Sequence, residues 1–186
     1  IASRLRKRGA EVHVVMTKAA ACFVTPLTFR EITGQPVSLD MWEEPAHWNV
    51  EHIALARLAD LVLIAPATAN IIAKAAAGIA DDMLTTTLLA VTSPIFFAPA
   101  MNSAMYENPV TQENMAKLQA RGWHKIEPAA GYLACGASGV GRLPEPQDIV
   151  RELEEAGACG KTLAGKKVLV TAGGTLEAID PVRFIG

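Results

Sequence analysis

Four stretches of the 186-residue sequence combine residue types that could do chemistry. Pro66-Ala67-Thr68-Ala69-Asn70 is a small-residue loop that would offer backbone N–H groups and one hydroxyl to an anionic or planar ligand. The same residues also read as a tight strand-to-helix turn with Asn70 as the helix N-cap. Thr17 takes the equivalent place after an earlier apolar run, where by itself it is a plain helix cap. Pro99-Ala100-Met101-Asn102-Ser103-Ala104-Met105-Tyr106 carries an amide between two methionines. An amide can fix a carboxylate or carbonyl without adding charge, and methionine packs adaptably against a flat ring. A helix-capping asparagine with core methionines fits that stretch equally well. From Gly131 to Arg142 the chain is studded with glycine and holds Cys135, which predicts a flap rather than a regular element. Its Gly136-x-x-Gly139-x-Gly141 spacing is not the G-x-G-x-x-G fingerprint, and no strand is expected before it, so a nicotinamide site is rejected. An inert buried thiol is the usual fate of cysteine, but a glycine-rich flap is an unusual place for one. Among the histidines, His52 stands at the head of an expected helix. There the dipole disfavours the protonated ring, which suits a neutral base or acceptor as well as an ordinary surface histidine.

The elements that must position these residues are short apolar runs alternating with helical stretches. Glu11 to Met16, Asp60 to Ala65 and Pro94 to Ala98 read as strands, with a weaker candidate at Trp123 to Ile126. The runs are continuous rather than alternating, as in strands buried on both faces. This predicts an α/β fold with a doubly wound parallel sheet, flavodoxin-like or Rossmann-like, in three layers. Helices are expected near Leu27 to Thr33, Ile53 to Leu58, Ile71 to Ala77, Asp82 to Val91, Val110 to Ala120 and Gln147 to Ala156. Ligands in such sheets bind at the carboxyl ends of the strands, so the residues after Met16, Ala65 and Ala98 carry the site. The chain opens in a basic helical turn, Ile1 to Arg8, without a methionine, and its last strand, Lys167 to Thr171, has no helix after it. We therefore read residues 1–156 as a domain whose first strand lies upstream, 157–166 as a linker, and 167–186 as the opening of a second α/β domain.

Composition narrows the function. With 17 Lys+Arg against 19 Asp+Glu and 51% hydrophobic residues, the chain is a well-cored domain with no basic face for nucleic acid. No apolar run approaches the roughly 18 residues of a membrane span, so no membrane role is expected. Cys22, Cys135 and Cys159 are odd in number and widely spaced, which suggests neither disulfides nor a metal site and fits a reducing cytoplasm.

Taken together, His52 with the Ala56 to Asp60 run, the loop from Ala65 to Asn70, the Pro99 to Met105 stretch, and Ala134-Cys135-Gly136 with Gly139-Val140-Gly141-Arg142 resemble the flavin-dependent cysteine decarboxylases. The likeness is strongest to their bifunctional bacterial branch in coenzyme A biosynthesis. Val170 to Arg183 is similar to the opening strand and loop of that branch's phosphopantothenate-cysteine ligase domain.

The resemblance implies FMN-dependent decarboxylation of 4'-phosphopantothenoylcysteine to 4'-phosphopantetheine. It also implies a ligase in the longer polypeptide that uses CTP and Mg2+ at a site outside this chain. His52, Asn102 and Cys135 are implied as catalytic. Thr17, Ala67, Thr68, Asn70 and Met101 would hold FMN, and Asn102, Ala134 and Arg142 the substrate. The implied chemistry oxidises the substrate thiol so that sulfur can take the electrons left by carbon dioxide, and Cys135 then protonates carbon as hydride returns. A homo-oligomer, trimeric or dodecameric, is implied as well. Tyr106 and Ile71 stand where many relatives have tryptophan and some have threonine. A prenyl-transferring FMN protein or a non-catalytic regulatory flavoprotein of the same fold are the alternatives; the joint presence of Asn102 and Cys135 argues against both.

Overall fold

Three apolar runs become strands closed off from solvent on both faces, and helices cover each side. The computed structural model describes residues 1–42, 51–132, 138–156, 163, 165–172, 177–178 and 184–185. In chain order these form α1 (Ala2–Lys7), β1 (Glu11–Met16), α2 (Lys18–Ala21), α3 (Pro26–Thr33), β2 (Val37–Ser38), α4 (Glu51–Leu58), β3 (Leu61–Ala67), α5 (Ala69–Ala77) and α6 (Met83–Ala90). There follow β4 (Ile95–Pro99), α7 (Ser103–Glu107), α8 (Pro109–Ala120), β5 (His124–Lys125), β6 (Ala129–Tyr132), β7 (Ser138–Arg142), α9 (Pro146–Ala156) and β8 (Lys167–Ala172). The short antiparallel pair β9 (Glu177–Ala178) and β10 (Phe184–Ile185) ends the order.

Six strands make one sheet in the order β2-β1-β8-β3-β4-β5, every neighbouring pair parallel. The fold is thus the doubly wound α/β layer that the continuous runs predict. One face packs Val12, Val14, Leu63 and Val168 against Leu5 of α1 and Ile149 and Leu153 of α9. The other packs Val15, Val62 and Ile64 against Ile72 of α5, Leu84 of α6 and Met115 of α8. Strand period two explains the division, since Val168 and Val170 belong to the first cluster and Leu169 to the second.

β8 adds a sixth strand to this sheet from the segment read in the sequence as the opening of a second unit. It lies at the centre of the sheet, in register with β1 from Glu11↔Lys167 to Met16↔Ala172 and with β3 from Leu61↔Val168 to Ile64↔Thr171. Its entry is pinned at the amino edge: Asp60 N donates to Lys167 O at 2.8 Å, and Lys167 N donates to Asp60 Oδ2 at 2.8 Å. Val168-Leu169-Val170 is apolar on both faces, which is what a slot between two fully buried strands demands.

The stretch from Gly131 to Arg142 departs from the expected flap at both of its described ends. They belong to an antiparallel pair, β6 with β7, in register Tyr132↔Ser138 and Gly131↔Gly139 and shifted between Ala129 and Ala130. Glycine hid this hairpin from a reading by composition, because the pattern of a strand lies in its side chains.

Candidate functional site

Each carboxyl end of β1, β3 and β4 runs directly into a helix whose first turn is capped by the residue singled out there. Thr17 Oγ1 accepts from Ala20 N at 3.1 Å. Thr68 Oγ1 accepts from Ile71 N at 3.4 Å. Asn102 Oδ1 accepts from Ala104 N at 2.8 Å. Hence the cap after β3 is Thr68, not Asn70, which lies exposed inside the first turn of α5. The strand continues through Pro66 and Ala67, so the chain turns at Thr68 and leaves Asn70 two residues into the helix. Replacing Thr68 by alanine is expected to cost about 1 kcal/mol through the lost cap, read as a lower urea midpoint.

These three polar residues, with Ala67 and Met101 beside them, line one edge of the sheet. At that edge a cleft of about 160 Å³ opens beyond β1 and β2, lined by Met16, Thr17, Met41, Trp42 and Asp82 among others. Trp42 is 86% exposed at its rim. The cleft's far wall is held by a cluster that motif reading passed over. Lys74 Nζ donates to Asp81 Oδ1 at 2.7 Å and to Asp82 Oδ2 at 3.3 Å. The Asp81 hydrogen bond raises the lysine's pKa above its ordinary value against the opposing pull of burial, and in return holds the Asp81 carboxyl below the usual range. Asp82 also caps α6 in a reciprocal box with Thr85, and this D-x-x-T signature was legible in the sequence.

His52 sits in the first turn of α4, whose start is fastened to the carboxyl end of β2 by a hydrogen bond from Ser38 Oγ to Glu51 Oε1. It therefore belongs to the same edge of the sheet as Asn102. The strand order, however, sets the ends of β2 and β4 four spacings apart, on the order of 19 Å. Arg142 closes β7 with its guanidinium on Glu145, Nη2 to Oε1 at 2.6 Å. Ala134 and Cys135, between β6 and β7, lie outside the described residues.

The hairpin reaches the Asn102 loop directly. Met101 N donates to Gly141 O at 2.9 Å, and Ser103 Oγ donates to Val140 O at 2.8 Å. Neither Ser103 nor Gly141 stood out in the sequence as a contact residue, because the pairing joins segments nearly 40 positions apart.

A neutral set of hydroxyl, amide and helix-start N–H donors, grouped at the carboxyl edge of a doubly wound sheet, is chemistry that accepts a planar, anionic ligand. Thr171 is fully buried near the end of β8, outside the cleft lining, and its hydroxyl has no hydrogen-bond partner among the described residues.

The family model described as Flavoprotein matches residues 1–156. The chain belongs to the flavoprotein family. A second model, the DNA/pantothenate metabolism flavoprotein C-terminal domain, matches residues 163–186. The flavoprotein is 52% identical over 98% of its length to the coenzyme A biosynthesis bifunctional protein CoaBC of Vibrio cholerae. It spans under half of such curated relatives, 45% and 46% of the first two. Among solved structures it is similar to the FMN-dependent cysteine decarboxylase SpaF, with 36% identity, 78% of this chain and 79% of that one covered, and a TM-score of 0.65. It is also similar to a cysteine-to-serine mutant of a PPC decarboxylase complexed with pantothenoylaminoethenethiol. That match has 32% identity, a TM-score of 0.63, and covers 79% of this chain and 99% of the other. Among the described residues, no helix is long and apolar enough to cross a membrane.

Proposed function

We propose that this flavoprotein is the FMN-dependent phosphopantothenoylcysteine decarboxylase portion of a coenzyme A biosynthesis protein. Its substrate would be 4'-phosphopantothenoylcysteine and its product 4'-phosphopantetheine. The observation that carries the reading is the Asn102 loop: an amide held at the carboxyl edge of β4 and strapped to β7, the strand that follows the segment bearing Cys135. That arrangement occurs in a chain half identical to proteins named for coenzyme A biosynthesis. A PPC decarboxylase, as a cysteine-to-serine mutant, is complexed with pantothenoylaminoethenethiol, which supports the substrate class.

FMN, when bound, supplies a reversible two-electron sink, without which loss of carbon dioxide from an acylated cysteine would leave an unstabilised carbanion. Thr17, Ala67, Thr68, Asn70 and Met101 are the residues we assign to hold it. Asn102 orients the substrate carboxylate by hydrogen bonding without adding a competing charge. His52, in the first turn of α4, takes or positions the thiol proton. We read the protein as a homo-oligomer in the cytoplasm. Cys135 delivers a proton to carbon, and Arg142 and Ala134 border the substrate. Ligase activity with CTP and Mg2+ would belong to the polypeptide that carries the complete C-terminal domain.

The test is purification with FMN followed by incubation with substrate labelled at the cysteine carboxylate. Labelled carbon dioxide and 4'-phosphopantetheine in equal amounts are expected. Asn102→Asp should lower decarboxylation at least 100-fold while leaving the fold intact, because it sets a carboxylate against a carboxylate. Absence of both products with FMN bound would refute the assignment.

A further inference from the structure

We propose that β7 is the positioning element for Asn102, with Gly141 and Ser103 as the residues that set the amide's place. The inference rests on the reading that Asn102 holds the reacting carboxylate. The two residues flanking Asn102 in sequence are both tied to consecutive residues of β7. Met101 N donates to Gly141 O at 2.9 Å, and Ser103 Oγ donates to Val140 O at 2.8 Å. Asn102 is thus the crest of a loop held on both shoulders. Its own Oδ1 is oriented by Ala104 N at 2.8 Å, and the loop's other side is tied to β3, where Ala100 N donates to Ala67 O at 3.1 Å.

Gly141 makes this closeness possible. Its φ is +125°, a conformation side chains rarely adopt, and a Cβ there would stand 2.3 Å from Met101 O, 3.4 Å from Met101 C and 3.7 Å from Asn102 C. Those neighbours are all backbone, so an added methyl cannot be relieved by a rotamer change. The strand or the Asn102 loop must move. A shift of about 1 Å at a group that orients a reacting atom costs on the order of 100-fold in rate. Gly141 would therefore govern the reaction through Asn102.

The experiment compares Gly141→Ala, Ser103→Ala and Ser103→Thr with the wild type in the FMN-loaded protein. It records decarboxylation kinetics, FMN affinity by titration, thermal midpoint, and exchange of the Met101 amide proton. Gly141→Ala is expected to lower kcat about 100-fold, well beyond any accompanying loss of FMN affinity through Met101, and to speed exchange at Met101. Ser103→Ala should lower kcat by about 3- to 10-fold, the scale of one neutral hydrogen bond, and Ser103→Thr should restore it. Unchanged kcat in both Gly141→Ala and Ser103→Ala overturns the proposal. So does a fall in FMN affinity that matches the fall in rate, or a failure of Ser103→Thr to improve on Ser103→Ala. Should the wild type itself not decarboxylate, the functional reading fails on its own, and unaltered Met101 exchange in Gly141→Ala would separately remove the structural coupling.

Discussion

Cys135→Ser is expected to release carbon dioxide once per site and then stop. Thiol and hydroxyl differ little in size, so the hairpin and the Asn102 loop should keep their places, and substrate should bind. What changes is acidity. A cysteine near pKa 8.5 can hand a proton to an enethiolate carbon, whereas a serine hydroxyl is a far weaker acid. Positioned proton donors contribute roughly 100- to 10,000-fold, so steady formation of 4'-phosphopantetheine should fall by at least 100-fold. The oxidised enethiol should accumulate in an amount equal to the carbon dioxide released, and the flavin absorbance should remain bleached. Quenched-flow sampling with mass analysis of the product, alongside the visible spectrum, reads all three. Repeated turnover to the fully reduced product at near wild-type rate would show that Cys135 is not the donor. The effect is also distinct from that of Asn102→Asp, which should suppress carbon dioxide itself.

The parts of this site that could be read from sequence are those written in local pattern. Leu61 to Ala65 and Ile95 to Ala98 are unbroken apolar runs and Val12 to Met16 is interrupted only by His13, so their burial and the polar residues just beyond them could be predicted together. Thr17 and Asn102 are the first polar residues with cap chemistry after their strands, and both cap. Asn70 failed as a cap for a comparably local reason. Thr68 and Asn70 are both competent, and only the extra length of β3 through Ala67 decides between them. Val37–Ser38 is a two-residue strand whose pairing, Val14↔Val37 and Val15↔Ser38, leaves almost no trace in periodicity. The hairpin base and the grip of Gly141 on Met101 are non-local, and no spacing rule joins position 101 to position 141.

β8 is the extreme case, and it supplies the largest stability effect. Residues 167–172 follow a linker-like stretch and match a C-terminal-domain model, and they pair with β1 from 156 positions away and with β3 at the same time. Val170 is 4% exposed, within the cluster formed by Val14, Leu63 and Ile149. Val170→Asp would remove about 1.5 kcal/mol or more of burial and place a carboxylate with no partner in the centre of the sheet, at a cost of several kcal/mol more. The sum is comparable to the ~5–15 kcal/mol that holds an entire domain together. The carboxyl edge carrying Thr17, Thr68 and Asn102 should therefore lose its cooperative unfolding transition and its FMN affinity along with the sheet. Leu89→Asp, at a side chain 61% exposed on α6, is the matched control and should change stability by less than about 1 kcal/mol. Chemical denaturation followed by near-UV circular dichroism distinguishes the cases. A Val170→Asp protein that unfolds at the wild-type midpoint would show that β1 and β3 hold the sheet together without Lys167–Ala172, and that this strand belongs to a separate folding unit.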